Sequence, residues 1–162
     1  MKKIAISPGS FDPVTHGHYD IVRRALKVFD EIIVLVAIQP NKVAYFSIEE
    51  RVDMIKEAIS DLPGVSVDSS TGLSVEYALK HQAIAIIRGL RAAGDFEYEF
   101  KLAAGNRFLH EEIDMVLFMA DPQFTFLSSS TVKELALNDV DVSPLVPPSV
   151  TKAFRKKLKK AE

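Results

Sequence analysis

The chain has 162 residues, 48% of them hydrophobic and 26% charged, which is typical of a globular protein with a substantial core. Its formal net charge of −2 excludes an overall field that attracts nucleic acid or membranes. There is no cysteine, which excludes disulfides and thiolate metal sites. No stretch approaches the ~18 apolar residues of a membrane span, and no signal peptide is evident. We therefore expect one cytoplasmic domain over residues 1–162.

Strands and helices alternate in the first half of the chain. Apolar runs predict buried strands at residues 4–6, 31–38 and 65–67. Apolar residues at helical spacing predict a helix over 19–29 and another over 47–62. The second helix opens with a Ser-x-x-Glu capping box and ends at a Pro-Gly pair.

The second half continues the same alternation. The predicted elements are a helix over 75–81, a strand over 83–87, a helix over 95–109, a strand over 113–120, a helix from a Thr131–Glu134 capping box to Leu137, and an amphipathic helix over 149–160. Five strands separated by helices predict an α/β fold, a Rossmann-like doubly wound five-stranded parallel sheet with helices on both faces. Ligands bind such sheets beyond the carboxyl ends of the strands, so the residues there are the candidate site.

The first strand is followed by "PGSFDPVTHGH", residues 8–18. This turn is neither a dinucleotide fingerprint nor a Walker loop. Gly17 is predicted to stand just before the helix and His18 in its first turn, where unpaired amides and an imidazole N–H favour a phosphate. Ser10 adds a hydroxyl. The i, i+2 spacing of His16 and His18 suits zinc only in an extended segment, and no third ligand is evident, so we expect no metal held by protein ligands.

Basic residues follow two other strands. Lys42 lies in the loop after the second strand, where a solvated lysine is the ordinary alternative. Arg88 and Arg91 flank Gly89 after the fourth strand, and guanidinium groups suit phosphate oxygens. The alternative for this pair is an ion-pair cluster with nearby acidic residues, Asp95, Glu97 or Glu99.

Two further strand ends carry small polar residues. Ser128, Ser129 and Ser130 precede a helix, where they supply amides and hydroxyls for an anion or simply cap the helix. After the third strand, residues 72–74 form a mixed apolar and polar lip. The ligand implied by the five strand ends has phosphates and an uncharged arm.

Four of these motifs together closely resemble the bacterial phosphopantetheine adenylyltransferases, a family of the (H/T)-x-G-H nucleotidyltransferase superfamily. They are Thr-His-Gly-His at 15–18, "RGLR" at 88–91, "DFEYE" at 95–99 and "SSS" at 128–130. The resemblance covers nearly the whole chain. It implies transfer of AMP from ATP to 4′-phosphopantetheine, giving dephospho-coenzyme A and pyrophosphate. It also implies Mg²⁺, a cytoplasmic homohexamer and coenzyme A as a feedback inhibitor.

The resemblance further implies roles for individual residues. His18 would stabilise the transition state, with Lys42 and Arg91 as the other catalytic residues. The residues implied to bind the pantetheine substrate are Ser10, Lys42, Ser74 and Arg88. The residues implied to bind ATP are Ser10, Phe11, Gly17, His18, Gly89, Leu90, Arg91, Glu99, Phe124, Thr125, Phe126, Leu127, Ser128, Ser129 and Ser130.

Two other functions stay open. One is a cytidylyl- or nicotinamide-mononucleotide-type transferase with another phosphate acceptor. The other is a non-catalytic nucleotide sensor, which leaves the second set of cations without a purpose. The basic tail at 151–160 is predicted to be a docked amphipathic helix and not a nucleic-acid patch. Phe96, Phe100 and Phe108 are predicted to make core or subunit contacts.

Overall fold

A five-stranded parallel sheet organises the residues that the computed structural model describes, 1–160. The strands are β1 (Ile4–Gly9), β2 (Glu31–Ile38), β3 (Val65–Thr71), β4 (Ala85–Leu90) and β5 (Asp114–Met119). They lie in the order β3-β2-β1-β4-β5, and every neighbouring pair is parallel. The predicted fold class is confirmed.

Helices connect and cover the strands. They are α1 (His16–Ala25), α2 (Ile48–Ala58), α3 (Ser74–Lys80), α4 (Ala93–Leu109), α5 (Ser129–Leu137) and α6 (Pro148–Lys159), with a 3₁₀ turn at Pro122–Phe124. None of the helices within 1–160 combines the length and the apolar character that a membrane crossing requires. Residues 161–162, the end of the predicted domain, lie outside the described part.

The two faces of the sheet build two separate cores, because successive strand residues point to opposite sides. On one face, Ala5 and Ala85 join a cluster that includes buried residues of α1, α2, α5 and α6. On the other face, Ile6 and Ile86 pack with buried residues of α3. Helices therefore cover both faces of the sheet, and the ends of the strands are left as the place for a ligand.

Strands β1 and β4 part near the middle of the sheet. The register of β1 with β2 runs through to Gly9↔Val36. With β4, by contrast, β1 is paired at Ala5↔Ala85 and Ile6↔Ile86. The order of strands reverses between β1 and β4, so this opening lies at the topological switch point where α/β sheets bind ligands.

The buried carboxylate of Asp12 ties the turn after β1 to two other segments. It accepts hydrogen bonds from the backbone N–H groups of Tyr45 and Phe46 at 2.8 and 2.9 Å. It also pairs with the Lys133 ammonium of α5 at 3.1 Å. Burial by itself raises the pKa of Asp12. The two backbone N–H groups and the Lys133 ammonium favour the carboxylate more strongly, so the pKa lies below its ordinary value.

Several predicted boundaries near the switch point are wrong. β1 continues to Gly9 instead of ending at residue 6, and β4 runs from Ala85 to Leu90. Arg88 and Gly89 therefore lie within a strand and not after it. Helix α1 begins at His16, so Gly17 lies inside the helix instead of just before it.

The second predicted capping box is also wrong. Ser128, and not Thr131, is the N-cap of α5, and its side chain accepts a hydrogen bond from the Thr131 N–H at 3.1 Å. The serine hydroxyl thus reaches the third residue of the helix, as N-caps do. The Ser47–Glu50 capping box of α2 is confirmed.

Three aromatic residues of α4 do not enter either core. Phe96, Phe100 and Phe108 are 51, 64 and 89% exposed, so of the two predicted alternatives they do not make core contacts. Subunit contacts stay a prediction. The helix places these phenylalanines away from the sheet, since its buried residue is Glu99. At the other end of the chain, α6 docks through Val150 and Phe154.

Candidate active site

A cleft of about 690 Å³ opens at the carboxyl ends of the strands, where β1 and β4 part. The residues proposed from the sequence that line it are Ser10, Phe11, Gly17, His18, Lys42, Ser74, Arg88, Gly89, Arg91, Glu99, Phe124, Leu127, Ser128 and Ser129. The other four proposed residues, Leu90, Thr125, Phe126 and Ser130, adjoin this lining in the sequence. Groups that are far apart in the chain therefore share one cavity.

The His18 imidazole is held by the N-cap of its own helix. The Thr15 backbone N–H donates to His18 Nδ1 at 3.0 Å, and the Thr15 hydroxyl lies 3.1 Å from the same atom. In return, the His18 N–H donates to Thr15 Oγ1 at 3.4 Å. A histidine thus takes the place that Glu or Gln has in a capping box. Because Nδ1 accepts a hydrogen bond, the ring proton belongs on Nε2, which leaves that N–H to donate to a ligand.

The ring is neutral at physiological pH. Burial, together with the charges of Arg91 and Arg88, lowers the pKa of His18 to about 4. We expect ¹⁵N NMR between pH 5.5 and 8 to show His18 in one neutral state with the proton on Nε2. A titration midpoint near the ordinary value of 6.5, or a proton on Nδ1, contradicts this arrangement.

Phe11 forms the floor beneath this histidine. Its backbone has a φ of +47°, a left-handed conformation that is uncommon for a bulky residue and that is found most often at functional sites. Its ring is buried and meets the His18 ring edge-on, with the centroids 4.9 Å apart. A Cβ on Gly9 would lie 3.2 Å from the Phe11 ring, so glycine gives the ring its room. The turn after β1 therefore supports His18 through packing.

Arg88 extends from β4 across the opening toward β1. Its Nη1 donates to the Pro8 carbonyl at 3.2 Å. Its Nε and Nη2 donate to the Glu99 carboxylate at 2.9 to 3.1 Å. The ion-pair alternative raised by the sequence is thus realised with Glu99, while Arg88 also lines the cleft.

Arg91 is also paired, but nearer the surface. Its Nη1 donates to the Leu127 carbonyl at 3.0 Å, and its Nε lies 3.5 Å from the Asp95 carboxylate. The third acidic candidate, Glu97, pairs instead with Lys101. Arg91 therefore links β4 to the segment before α5, on the side of the cleft where the serines lie.

Two N-terminal helix turns meet in the cleft. Ser129 of α5 donates its hydroxyl to the Pro13 carbonyl at 2.7 Å. A Cβ on Gly17 of α1 would lie 3.6 Å from Phe124 and 3.8 Å from Leu127, in ordinary contact. The close approach of the two helix starts brings their partial positive charges together, which favours an anion between them.

Lys42 lines the cleft from the loop after β2, and Leu73 and Ser74 line it at the start of α3. The Lys42 side chain is exposed, and within residues 1–160 no hydrogen bond or ion pair engages its ammonium. Lys42 is thus available to an incoming anion, in contrast to the paired arginines.

Sequence reasoning missed the cleft-facing side of α4. Tyr98, Leu102 and Asn106 line the cavity together with Asp95 and Glu99. The signal was present, because these positions recur at helical spacing on one side of the helix. It was obscured by the exposed phenylalanines on other sides of α4, which give this helix no clear apolar face.

The described residues do not include a cluster of three or more histidine, aspartate or glutamate side chains suited to a metal ion. The two carboxylates of the cleft, Asp95 and Glu99, already face arginines.

A comparison with protein families gives a match over most of the chain. The sequence model of the cytidylyltransferase-like family matches residues 6–135. The chain belongs to the cytidylyltransferase-like family. The matched part runs from β1 to α5 and includes every cation of the cleft, whereas α6 follows it. Membership of this family supports nucleotidyl transfer as the chemistry of the site.

Proposed function

We propose that the protein transfers the adenylyl group of ATP to 4′-phosphopantetheine, giving dephospho-coenzyme A and pyrophosphate. The observation that carries this proposal is one cleft lined by His18, Lys42, Arg88, Arg91 and Ser129. Two anionic reactants repel one another, and a cavity with three cations and two helix N-termini offsets that repulsion. The choice of acceptor rests on the motifs that resemble phosphopantetheine adenylyltransferases.

The acceptor would bind on the side of Lys42 and Arg88. The two cations hold its phosphate, and Arg88 keeps N–H groups for this purpose beyond those it gives to Glu99 and Pro8. Leu73 and Ser74 line the same cleft as Lys42 and suit an uncharged arm. Ser10 lies at the same rim and supplies a hydroxyl.

ATP would bind on the other side, over the two helix N-termini. The amides of α1 and the Nε2–H of His18 face the α-phosphate, and Arg91 with Ser129 faces the departing phosphates. Gly89 is an exposed residue of β4 that lines the cleft, and the absence of a side chain there leaves room for the nucleotide beside the strand.

The reaction that follows is a direct phosphoryl displacement. An acceptor phosphate oxygen attacks the α-phosphorus of ATP, the new P–O bond forms, and the bond from the α-phosphorus to the bridging oxygen breaks. Pyrophosphate leaves with the electron pair. His18 donates a hydrogen bond to the α-phosphoryl oxygens as their charge grows, and no covalent enzyme intermediate is needed.

Mg²⁺ belongs to the proposal as a partner of the nucleotide. It binds phosphates readily and takes few protein ligands at such sites. The cleft carboxylates are engaged with arginines, so the residues do not fit a separate protein-held metal, and we route no step through one. We propose that it enters bound to ATP.

Three further properties are proposed from the same resemblance. They are a homohexameric assembly, inhibition by coenzyme A and a cytoplasmic location. The exposed side chains of Phe96 and Phe100, which pack on one another at 5.9 Å, suit subunit contacts. We do not propose nucleic acid or a membrane as partners, since the formal net charge is −2.

An acceptor panel tests the proposed function. The purified protein, Mg²⁺ and either ATP or CTP are incubated with 4′-phosphopantetheine, glycerol 3-phosphate or nicotinamide mononucleotide, and pyrophosphate release is followed. We expect kcat/KM with ATP and 4′-phosphopantetheine to exceed that of every other pair by at least about 10³-fold. A wrong pair leaves polar and charged groups of the cleft without partners in the transition state.

The panel also separates the alternatives. The family match favours a second candidate, a cytidylyltransferase with another phosphate acceptor, and preferred turnover of CTP supports it. If ATP binds but no pair of nucleotide and acceptor releases pyrophosphate, the result supports the nucleotide sensor instead. Either result contradicts the proposed function.

A further inference from the structure

Arg51 is a cation of α2 that is buried without an acidic partner. The residue is 6% exposed. Its Nε donates to the Ser47 carbonyl at 3.3 Å, and its Nη1 donates to the Ser10 carbonyl at 2.9 Å. Within residues 1–160 its guanidinium makes no ion pair with a carboxylate. Removing a guanidinium from water without an opposite charge costs stability, so the contacts with the two carbonyls indicate what this side chain does.

The Ser10 carbonyl belongs to the peptide group that precedes Phe11. Rotation of that peptide about the N–Cα bond of Phe11 is the angle φ, which has the left-handed value of +47°. Such a conformation is strained for a bulky residue and persists only where the surroundings hold it. Arg51 holds the peptide by its carbonyl, and two backbone N–H groups hold the carboxylate of Asp12, the next residue. Both neighbours of Phe11 are therefore anchored.

One continuous segment, residues 45–51, supplies both anchors. Backbone N–H groups at its start bind Asp12, and Arg51 stands at its end. The capping box at the start of α2 fixes the first turn of that helix, and with it the backbone that carries Arg51. In the described part of the chain, Arg51 is not among the residues that line the cleft. An effect of Arg51 on the reaction therefore has to pass through the turn that it holds.

The turn acts on His18 through the ring of Phe11. This ring is buried and meets the His18 ring edge-on, with the centroids 4.9 Å apart. The Thr15 contacts hold Nδ1 but do not reach the opposite edge of the imidazole, which carries Nε2. Packing against Phe11 supplies the second restraint on the ring. A rotation of the Ser10–Phe11 peptide would redirect the Phe11 side chain and remove this restraint.

We propose that Arg51 is a positioning residue, which fixes the Ser10–Phe11 peptide and thereby holds the Phe11 ring against His18 without contacting a substrate. The inference rests on the proposed function for the reaction in which His18 acts. It adds a residue outside the cleft to that machinery, and it explains why a cation is buried at this position of α2.

Arg51→Met tests the proposal, because methionine keeps an unbranched apolar side chain and removes the charge and every donor. We expect kcat to fall about tenfold, on the scale of one hydrogen bond from a charged donor, with the KM values for ATP and 4′-phosphopantetheine changed by less than about threefold. The loss falls on kcat because the donor of His18 acts mainly in the transition state. Arg155→Met, at an exposed position of α6, is the matched control and should leave kcat within about twofold.

A second control on α2 separates positioning from a loss of stability alone. Ile55→Ala removes buried core atoms and should destabilise the protein, but it should leave kcat of the folded protein within about twofold. Nuclear Overhauser effects between the ring protons of Phe11 and His18 should be lost in Arg51→Met and kept in Ile55→Ala. If they remain in both variants, Arg51 acts on stability only and the proposal is overturned.

A double-mutant cycle with Phe11→Ala identifies the route of the effect. If Arg51 acts through the Phe11 ring, Arg51→Met lowers kcat no further in the Phe11→Ala protein. Additive losses overturn the proposal, as does a normal kcat in a folded Arg51→Met protein or a rise in the KM for ATP with kcat unchanged. If Arg51→Met does not fold, Arg51→Lys, which lacks the guanidinium fork that reaches both carbonyls, carries the same measurement and the same expected split.

Failure of the proposed function gives a different result. If another pair of nucleotide and acceptor is preferred, the wild-type protein shows it in the panel, and kcat and KM are compared with that pair. If no pair is turned over, the proposed function fails in the wild-type protein, and the contact between the Phe11 and His18 rings still reports on Arg51. Loss of that contact in Arg51→Met then supports the role of Arg51, and its retention overturns it.

Discussion

Replacing His18 with alanine should lower kcat at least ~100-fold, with a smaller effect on ATP affinity. The His18 Nε2–H is the donor that the Thr15 contacts leave free for the α-phosphoryl group. That group gains charge as the acceptor attacks, so a donor aimed at it binds the transition state more tightly than the ground state. Alanine removes the donor and leaves the surrounding cations in place. Steady-state pyrophosphate release with ATP and the preferred acceptor measures the effect.

The pH dependence of this role follows from the neutral ring. Because the pKa of His18 is lowered to about 4, its protonation state is constant from pH 5.5 upward, and its contribution to kcat is constant as well. Below that range the ring becomes charged. In the unfolded chain the pKa of this histidine is near 6.5, so the unfolded state binds the proton at a higher pH than the folded state does. Acidification from about pH 6.5 to about pH 4 therefore favours unfolding.

His16→Ala is the matched control for this prediction. His16 stands two residues earlier in the same helix, but it lines a separate groove with Tyr19 and Asp61 on the far side of α1. Its removal should change kcat by less than about threefold, since a surface group away from the reacting atoms makes no contact with them. Near-normal turnover in a folded His18→Ala protein would show that the transfer does not depend on His18.

Replacing Asp12 with asparagine should lower the free energy of unfolding by about 3 kcal/mol, because it removes the charge that faces Lys133 and turns an NH₂ toward a backbone donor. The Asp12 side chain is 7% exposed, and its carboxylate accepts hydrogen bonds from the N–H groups of Tyr45 and Phe46. An asparagine of the same shape leaves at least one of these groups without an acceptor. Urea denaturation of the two proteins at pH 7 measures the difference.

The same difference should depend on pH in one direction. The folded pKa of Asp12 lies below the ordinary 3.8, so the stabilisation is complete above that value and is lost as pH falls through the folded pKa. The wild-type and Asp12→Asn curves should therefore converge below about pH 4. Asp53→Asn, at an exposed position of α2, is the control and should change stability by less than about 0.5 kcal/mol. Equal stability of wild type and Asp12→Asn at pH 7 would contradict the anchoring role.

The sheet could be predicted because a short apolar run marks each strand and because α1 and α2 have regular apolar faces. The ends of the elements were harder to predict from the sequence. β1 and β4 continue through polar and glycine residues, which do not show the apolar pattern of a buried strand. The start of α1 was missed since the cap is Thr15 and its partner is a histidine, a substitution that the usual Ser-x-x-Glu pattern does not include. The exposed face of α4 was missed because aromatic residues are ordinarily buried.

The meeting of Ser10, His18, Lys42, Arg88 and Ser129 in one cleft could be predicted from the sequence, since parallel strands bring their carboxyl ends to one edge. The binding and catalytic roles of these residues stay predictions. The pairing inside the site could not be predicted. The sequence offered Asp95, Glu97 and Glu99 as equal partners for the arginines, and helical geometry alone does not say which faces which. Asp12 gave no signal either, because its partners are backbone amides more than thirty residues away.

The separation of β1 from β4 leaves the sheet with a seam at its centre. His18 and Lys42 belong to the β1–β2 half, and Arg88 and Arg91 belong to the β4–β5 half. Beyond the paired residues of β1 and β4, the Arg88 side chain donates a hydrogen bond to the Pro8 carbonyl, where an ordinary sheet has further backbone hydrogen bonds. Substrates held by cations from both halves would act as cross-links over that seam, so occupancy of the cleft and cohesion of the sheet are coupled through the same few groups.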